Sequence, residues 1–157
     1  MKQVKTNALR ILDKEKISYT IKPYDEQVTD GQEVAALLNE NPSQVYKTLV
    51  TMGHSKSYYV FCIPVAEQLD LKACAKAVNE KSIEMLPMKQ LLPLTGYIHG
   101  GCSPVGMKKS FPTILQQEAK QFSTIHVSAG KRGMQMEIAV DDLIRITKAN
   151  TADVIRR

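Results

Sequence analysis

Apolar positions along the chain recur with two periods, and the switches between them divide it into elements. Ala8, Ile11 and Leu12 follow helical spacing behind Thr6, which can cap, and predict a helix over 5–16. ISYTIKPY (17–24) is rich in β-branched and aromatic residues and predicts a strand. Val34, Leu37 and Leu38 share one face of a short helix over 31–38 that stops before Asn41-Pro42. VYKTLVTM (45–52) and SYYVFCIPVA (57–66) predict two strands, joined as a hairpin through 53–56. Leu71, Cys74, Ala75 and Val78 return to the i, i+3, i+4, i+7 spacing behind Asp70, a helix with one buried face. SIEML (82–86) predicts a short strand, and 87–93 a helical turn or two bounded by prolines. FPTILQ (111–116), STIHVS (123–128) and MQMEIAV (134–140) predict strands, the last two joined by a glycine-containing turn over 129–133. Val140, Leu143, Ile144 and Thr147 define a final helix with Asp141 and Asp142 at its start and Lys148 at its end, as the helix dipole favours. The tail from 151 reads as a short strand or irregular chain.

About seven strands and four or five helices that do not strictly alternate predict an α/β architecture with a mixed sheet and helices packed outside it. No repeat or linker interrupts the chain, so one domain over 1–157 is expected. A doubly wound dinucleotide fold is disfavoured, because no GxGxxG follows the first strand.

Composition adds exclusions rather than function. With 157 residues, 43% of them apolar and 24% charged, the chain is globular. It has no apolar run of the about 18 residues a membrane span requires. MKQVKTNALR lacks the apolar centre of a secretory leader, so a cytoplasmic protein is expected, with no membrane partner. Cys62, Cys74 and Cys102 form no CxxC and read as reduced thiols, and the three histidines lie far apart, so no metal and no cofactor are expected. The net charge of +5 is unevenly spread. Residues 25–45 hold Asp25, Glu26, Asp30, Glu33 and Glu40 and no Lys or Arg, whereas Lys108-Lys109 and Lys131-Arg132 adjoin glycine-rich turns. Those two basic pairs could hold a polyanion with the acidic segment facing away, or they could be two solvated loops.

Three segments could carry chemistry. Lys47 interrupts an apolar strand, and alternation places it with Val45 and Leu49. A lysine on a core-facing side must meet an anion, lose its proton, or sit at an edge and snorkel to water. GYIHGGCSPVG brings Gly96, Gly100, Gly101 and Gly106 together, so free backbone N–H groups there could stabilise an oxyanion or cradle an anion; a tight structural loop would use the same residues. HVSAGKRG ends a strand at Ser128 and turns through Gly130 and Gly133. His99 and Cys102 lie in the glycine-rich loop as weaker candidates for a base and a thiol, and His126 reads as a packed or exposed histidine. No Ser-His-Asp set or carboxylate pair can be argued.

VYKTLV, PVAEQLDLKACAKAV, TGYIHGGCSPVGMKK, VSAGKRG and DLIRITKA, in this order, resemble the blocks of the YbaK/EbsC family of Cys-tRNA deacylases, a family similar to the editing domain inserted in bacterial prolyl-tRNA synthetases. The resemblance runs from the first helix to the tail, and its specific part is the pair GG-x-SP-x-G-x-KK and VS-x-GKRG. It implies a barrel-like mixed sheet and cleavage of the ester that links a wrongly attached amino acid to tRNA. It puts the family's essential lysine on Lys47 and implies substrate contacts at Tyr24, Thr48, Gly100, Gly101, Ser103, Ser128 and Gly130. With it, Lys108, Lys109, Lys131 and Arg132 become the expected tRNA contacts, and tRNA the expected partner, with a prolyl-tRNA synthetase as a second. Two positions depart from the family pattern. Asp30-Gly31 stands where members often place an aromatic residue before a glycine, and Gln135 stands where some carry an acid. A non-catalytic module that binds a nucleotide or a tRNA end is the competing expectation.

Overall fold

The computed structural model describes residues 5–157. The stretch read for a leader begins at residues 1–4, which lie outside the described residues. The order is α1 (Asn7–Lys14), β1 (Tyr19–Pro23), α2 (Gly31–Leu37), β2 (Tyr46–Gly53), β3 (Tyr58–Pro64), α3 (Leu71–Val78), β4 (Ile83–Met85), α4 (Leu91–Thr95), β5 (Thr113–Gln116), β6 (Thr124–Lys131), β7 (Met134–Ala139), α5 (Val140–Thr147) and β8 (Asn150–Ala152). Single 3-10 turns lie at Pro42–Gln44, Met88–Gln90 and Gln117–Gln121. The caps follow from side-chain chemistry: Thr6, Asp30 and Asp70 each accept a first-turn N–H of the helix that follows.

The strands form two sheets. One has the order β1-β7-β6 and is antiparallel throughout; the other has the order β4-β2-β3-β5-β8, antiparallel around β2 and parallel at β3·β5 and β5·β8. The mixed α/β architecture is as expected, but the barrel is not closed. The sheets meet at an isolated parallel bridge between Val45 and His126. Pairing within the β2–β3 hairpin matches the pattern, with Gly53 and Lys56 at the turn (Gly53 N–H donates to Ser57 O, Lys56 N–H to Gly53 O). The expected turn over 129–133 is corrected: β6 continues to Lys131, a bulge displaces the register between Ser128 and Lys131, and the reversal is made at Arg132-Gly133.

The two faces of the three-stranded sheet differ, because its strands alternate strictly. Ile21, Met136, Ile138, Ile125 and Val127 belong to the larger core with Leu9 and Leu12 of α1 and Leu143 of α5. On the opposite face Lys22, Gln135 and Ser128 stand in one cross-strand row, and Thr20, Glu137 and His126 in the next. A second core lies between the five-stranded sheet and α3, built on Phe61, Ile63, Cys74 and Ile114.

Candidate active site

The seam between the sheets opens into a cavity of about 470 Å³. Its walls come from both sheets: Lys47 and Thr48 from β2, Ser128 from β6, Gln135 from β7. Tyr24 closes one end, held there because its N–H donates to Gly133 O at 3.0 Å, which ties the end of β1 to the β6–β7 turn. Thr29, Asp30 and Gly31 at the start of α2 form a third side, and a Cβ at Gly31 would run into Val65, so the glycine lets α2 approach the residue that follows β3. The glycine-rich loop supplies His99, Gly100 and Cys102.

Lys47 is half-buried and lines this cavity, and among the described residues its ammonium has no hydrogen-bond or ion-pair partner. Burial pulls its pKa below the ordinary lysine value, while the carboxylates of Asp30 and Glu67 act in the opposite direction. The expectation that the acidic segment faces away from the cations is therefore corrected. Asp30 lines the cavity with Lys47, and Glu26 lines a neighbouring groove with Lys131 and Arg132. Asp30 is fixed as the cap of α2, where its carboxylate accepts from Glu33 N–H at 3.2 Å.

The loop's amides divide. Gly101 N–H donates to Ile98 O at 2.9 Å, and a Cβ there would stand 2.8 Å from Arg132 N, so Gly101 packs the loop against the β6–β7 hairpin and does not line the cavity. The N–H groups of Gly100 and Cys102, on either side of it, have no acceptor among the described residues, and both residues line the cavity. Of the two amides expected to meet a ligand, that of Gly101 is thus bonded within the loop, while that of Gly100, like that of Cys102, has no acceptor among the described residues. Ser103 is fully buried, and its Oγ accepts from Val105 N–H at 3.2 Å. The loop is braced by Tyr97 Oη donating to Val105 O at 2.6 Å and by Arg132 Nε donating to His99 O at 2.8 Å. Burial pushes the Cys102 thiol up to about 12. Thr48 Oγ1 lies 3.8 Å from Cys62 Sγ across the β2–β3 pair.

The sequence model of the aminoacyl-tRNA editing domain matches residues 25–146. The chain belongs to this family. A curated relative from Enterococcus faecalis (strain ATCC 700802 / V583), named "Putative Cys-tRNA(Pro)/Cys-tRNA(Cys) deacylase EbsC", is 46% identical over 156 residues, covering 97% of this chain and 94% of its own. Two solved structures share the fold. One, described as "a putative trans-editing enzyme for prolyl tRNA synthetase", superposes with a TM-score of 0.84 at 20% identity over 99% of this chain and 100% of its own. The other, a hypothetical protein, gives 0.89 at 19% identity over 96% and 100%.

Of the expected tRNA contacts, Lys131 and Arg132 line the neighbouring groove of this editing domain, and the Lys108 side chain packs over Gly96 at its edge. Gly130 lines the same groove with Glu26, Gln27, Thr29, Gly96, Tyr97 and Ile98. Gly130 sits in the bulge at φ +105°, where a Cβ would crowd the Tyr97 ring and Thr6, so only glycine fits this bend of the strand. Lys108 and Lys109 are exposed and line neither cavity nor groove; Lys108 Nζ reaches Pro93 O at 3.4 Å. No helix among the described residues is long and apolar enough to cross a membrane. Asp30 and Gln135, the two positions that depart from the family pattern, both line the cavity, whereas sequence reasoning missed Thr29.

Proposed function

We propose that this protein is a trans-editing aminoacyl-tRNA deacylase, acting in the cytoplasm on cysteinyl esters of tRNA(Pro) or tRNA(Cys). The observation that carries the reading is one cavity lined both by Lys47, whose ammonium has no partner among the described residues, and by Gly100 and Cys102, whose N–H groups have no acceptor among them. An ester's carbonyl oxygen gathers negative charge as it is attacked, and fixed N–H donors stabilise that charge. Lys47 binds the terminal ribose or a phosphate, or adds to the stabilisation of that charge; Ser128, with Tyr24 and Thr48, orients the amino acid. An activated ester needs less acceleration than a peptide bond, so positioning and oxyanion stabilisation suffice.

The nucleophile in this reading is the substrate's own thiolate. Its sulfur bonds to the carbonyl carbon, the ester C–O bond breaks, and the 3′ oxygen of the tRNA leaves with a proton. The four-membered thiolactone so formed then opens with water. Cys102 Sγ cannot take this part, being protonated at neutral pH, whereas a free thiol ionises near about 8.5. Cysteinyl-tRNA is therefore cleaved much faster than seryl- or alanyl-tRNA. The check is single-turnover deacylation of the three esters on the same tRNA with enzyme above saturation, which leaves the chemical step. Equal rates for cysteine and serine reject thiol participation in favour of water, with His99 and Lys47 as the groups to activate it. No cleavage of any ester favours the binding-module reading. Retention of the protein by immobilised prolyl-tRNA synthetase, with and without tRNA, tests the second partner.

A further inference from the structure

Behind the cavity wall lies a buried polar cluster that the mechanism above does not use. Glu40, in the connection between α2 and β2, lies on the polar face of the three-stranded sheet with its side chain only 5% exposed. Its Oε1 accepts from Gln135 Nε2 at 2.9 Å, and its Oε2 lies 3.3 Å from His126 Nδ1 and 3.4 Å from Lys22 Nζ. Lys22 also reaches Glu137 at 3.3 Å, and Thr124 Oγ1 donates to Glu137 at 2.6 Å. A carboxylate only accepts, so Glu40 dictates which end of the Gln135 amide it meets. His126 Nδ1 stands near the other oxygen of Glu40 without a hydrogen bond to it. Among the described residues the buried side-chain atoms without a hydrogen-bond partner are Glu40 Oε2, His126 Nδ1, Tyr46 Oη and Gln135 Oε1; Tyr46 and Gln135 line the cavity, and Gln135, beside its cross-strand neighbour Ser128, is the one whose amide Glu40 orients. A buried acceptor with nothing to accept is costly, and a ligand's donor relieves that cost.

We propose that Glu40 is a positioning residue for substrate recognition. By holding Gln135 Nε2 it presents Gln135 Oε1 as the acceptor for the substrate's α-amino group. This rests on the deacylase reading for the identity of the ligand. An α-amino group donates whether or not it is protonated, and Glu40 adds a negative charge behind the acceptor for the protonated form. The acyl group is therefore held between two polar anchors, its carbonyl at the amides of Gly100 and Cys102 and its amino group at Gln135. An N-acylated ester, as carried by initiator or peptidyl tRNA, offers a bulkier and poorer donor and is refused.

The test compares cysteinyl-tRNA with N-acetylcysteinyl-tRNA, and the matching non-hydrolysable 3′-amide analogues of the terminal adenosine as binding probes. The wild-type protein prefers the free amine by about tenfold or more in KM and in analogue affinity, the effect of one hydrogen bond to a charged group. In Glu40→Gln the amide of Gln135 can turn over; KM for the free-amine ester rises by about the same factor, while KM for the acetylated ester and both kcat values stay within about twofold. The exchange variant, Glu40→Gln with Gln135→Glu, restores the preference, because a carboxylate at 135 accepts from the new amide with one oxygen and from the substrate with the other. A merely structural Glu40 would slow both esters alike and gain nothing from the exchange. Equal affinity of the wild-type protein for the two analogues, or an equal loss on both esters in Glu40→Gln, overturns the proposal. Should Glu40→Gln fail to fold, the exchange variant decides, its failure to restore the preference being the adverse result. A protein that binds the analogues with the expected preference but cleaves neither ester refutes the deacylase reading alone.

Discussion

Lys47 owes its position to strand alternation and its poise to burial. An ammonium without a counter-ion in a cavity wall is held at a cost, and a bound anion removes it. Lys47→Met should therefore abolish most deacylation while the melting temperature stays level or rises, because a buried cation is replaced by an apolar chain of similar length. Near-normal single-turnover rates in a folded Lys47→Met protein would refute the assignment. The charged form is the active one in this mechanism. Burial lowers its pKa in the free protein, so the limb of kcat/KM that reports Lys47 falls as pH rises through a value below the usual 10.5, earlier than for an ordinary lysine. Lys47 was legible in the sequence because it breaks an apolar run. Gly101 misled, since glycine serves equally to free an amide and to let two backbones touch, and only the position of Arg132 N separates the two uses.

The β6–β7 hairpin does two jobs at the scale of an element. Its basic tip, Lys131-Arg132, borders the groove beside the cavity, and Arg132 also holds the glycine-rich loop through His99 O. The two residues should separate in experiment. Lys131→Glu weakens tRNA binding and flattens its salt dependence by about 0.7–0.9 in the log–log slope for each phosphate left without its cation, leaving the saturated rate intact. Arg132→Ala lowers the saturated rate as well, since the loop loses its brace. Reversal of Lys108 and Lys109, which face open solvent, has the smaller effect on affinity; equal losses from both pairs would contradict this division. Filter binding across a salt series, paired with single-turnover rates, measures both. The hairpin's strands were plain in the alternation of TIHVS and MQMEI, yet that pattern assigns their polar side to water. His126 and Gln135 are buried there, because Glu40 and Gln44 come from 80 or more residues away in sequence to cover them: Gln44 Nε2 donates to Thr124 O at 2.8 Å. Such cover belongs to tertiary structure, and strand periodicity carries no trace of it.

For the whole molecule, the order of elements and the class of architecture followed from periodicity, whereas the division into two sheets did not. Among the described residues the sheets pair only through the isolated bridge at Val45–His126, just before β2, and β6 carries a bulge at Ser128–Lys131; neither leaves a mark on hydrophobic pattern. The cavity inherits this arrangement, with Lys47 and Thr48 on one sheet and Ser128 and Gln135 on the other. A ligand that touches both walls should slow amide hydrogen exchange at residues 45–48 and 126–128 while leaving the distant β3–β5 pairing unchanged. Uniform slowing, or none at the seam, would show that the sheets already move as one. The open seam gives the bound acyl group a mechanical role besides its chemical one. While it is present it bridges, across the open seam, two sheets that elsewhere share the larger core, and cleavage cuts that bridge. Product release is thus built into the reaction, since the bond that ties the amino acid to its tRNA is also what ties one sheet's ligand to the other's.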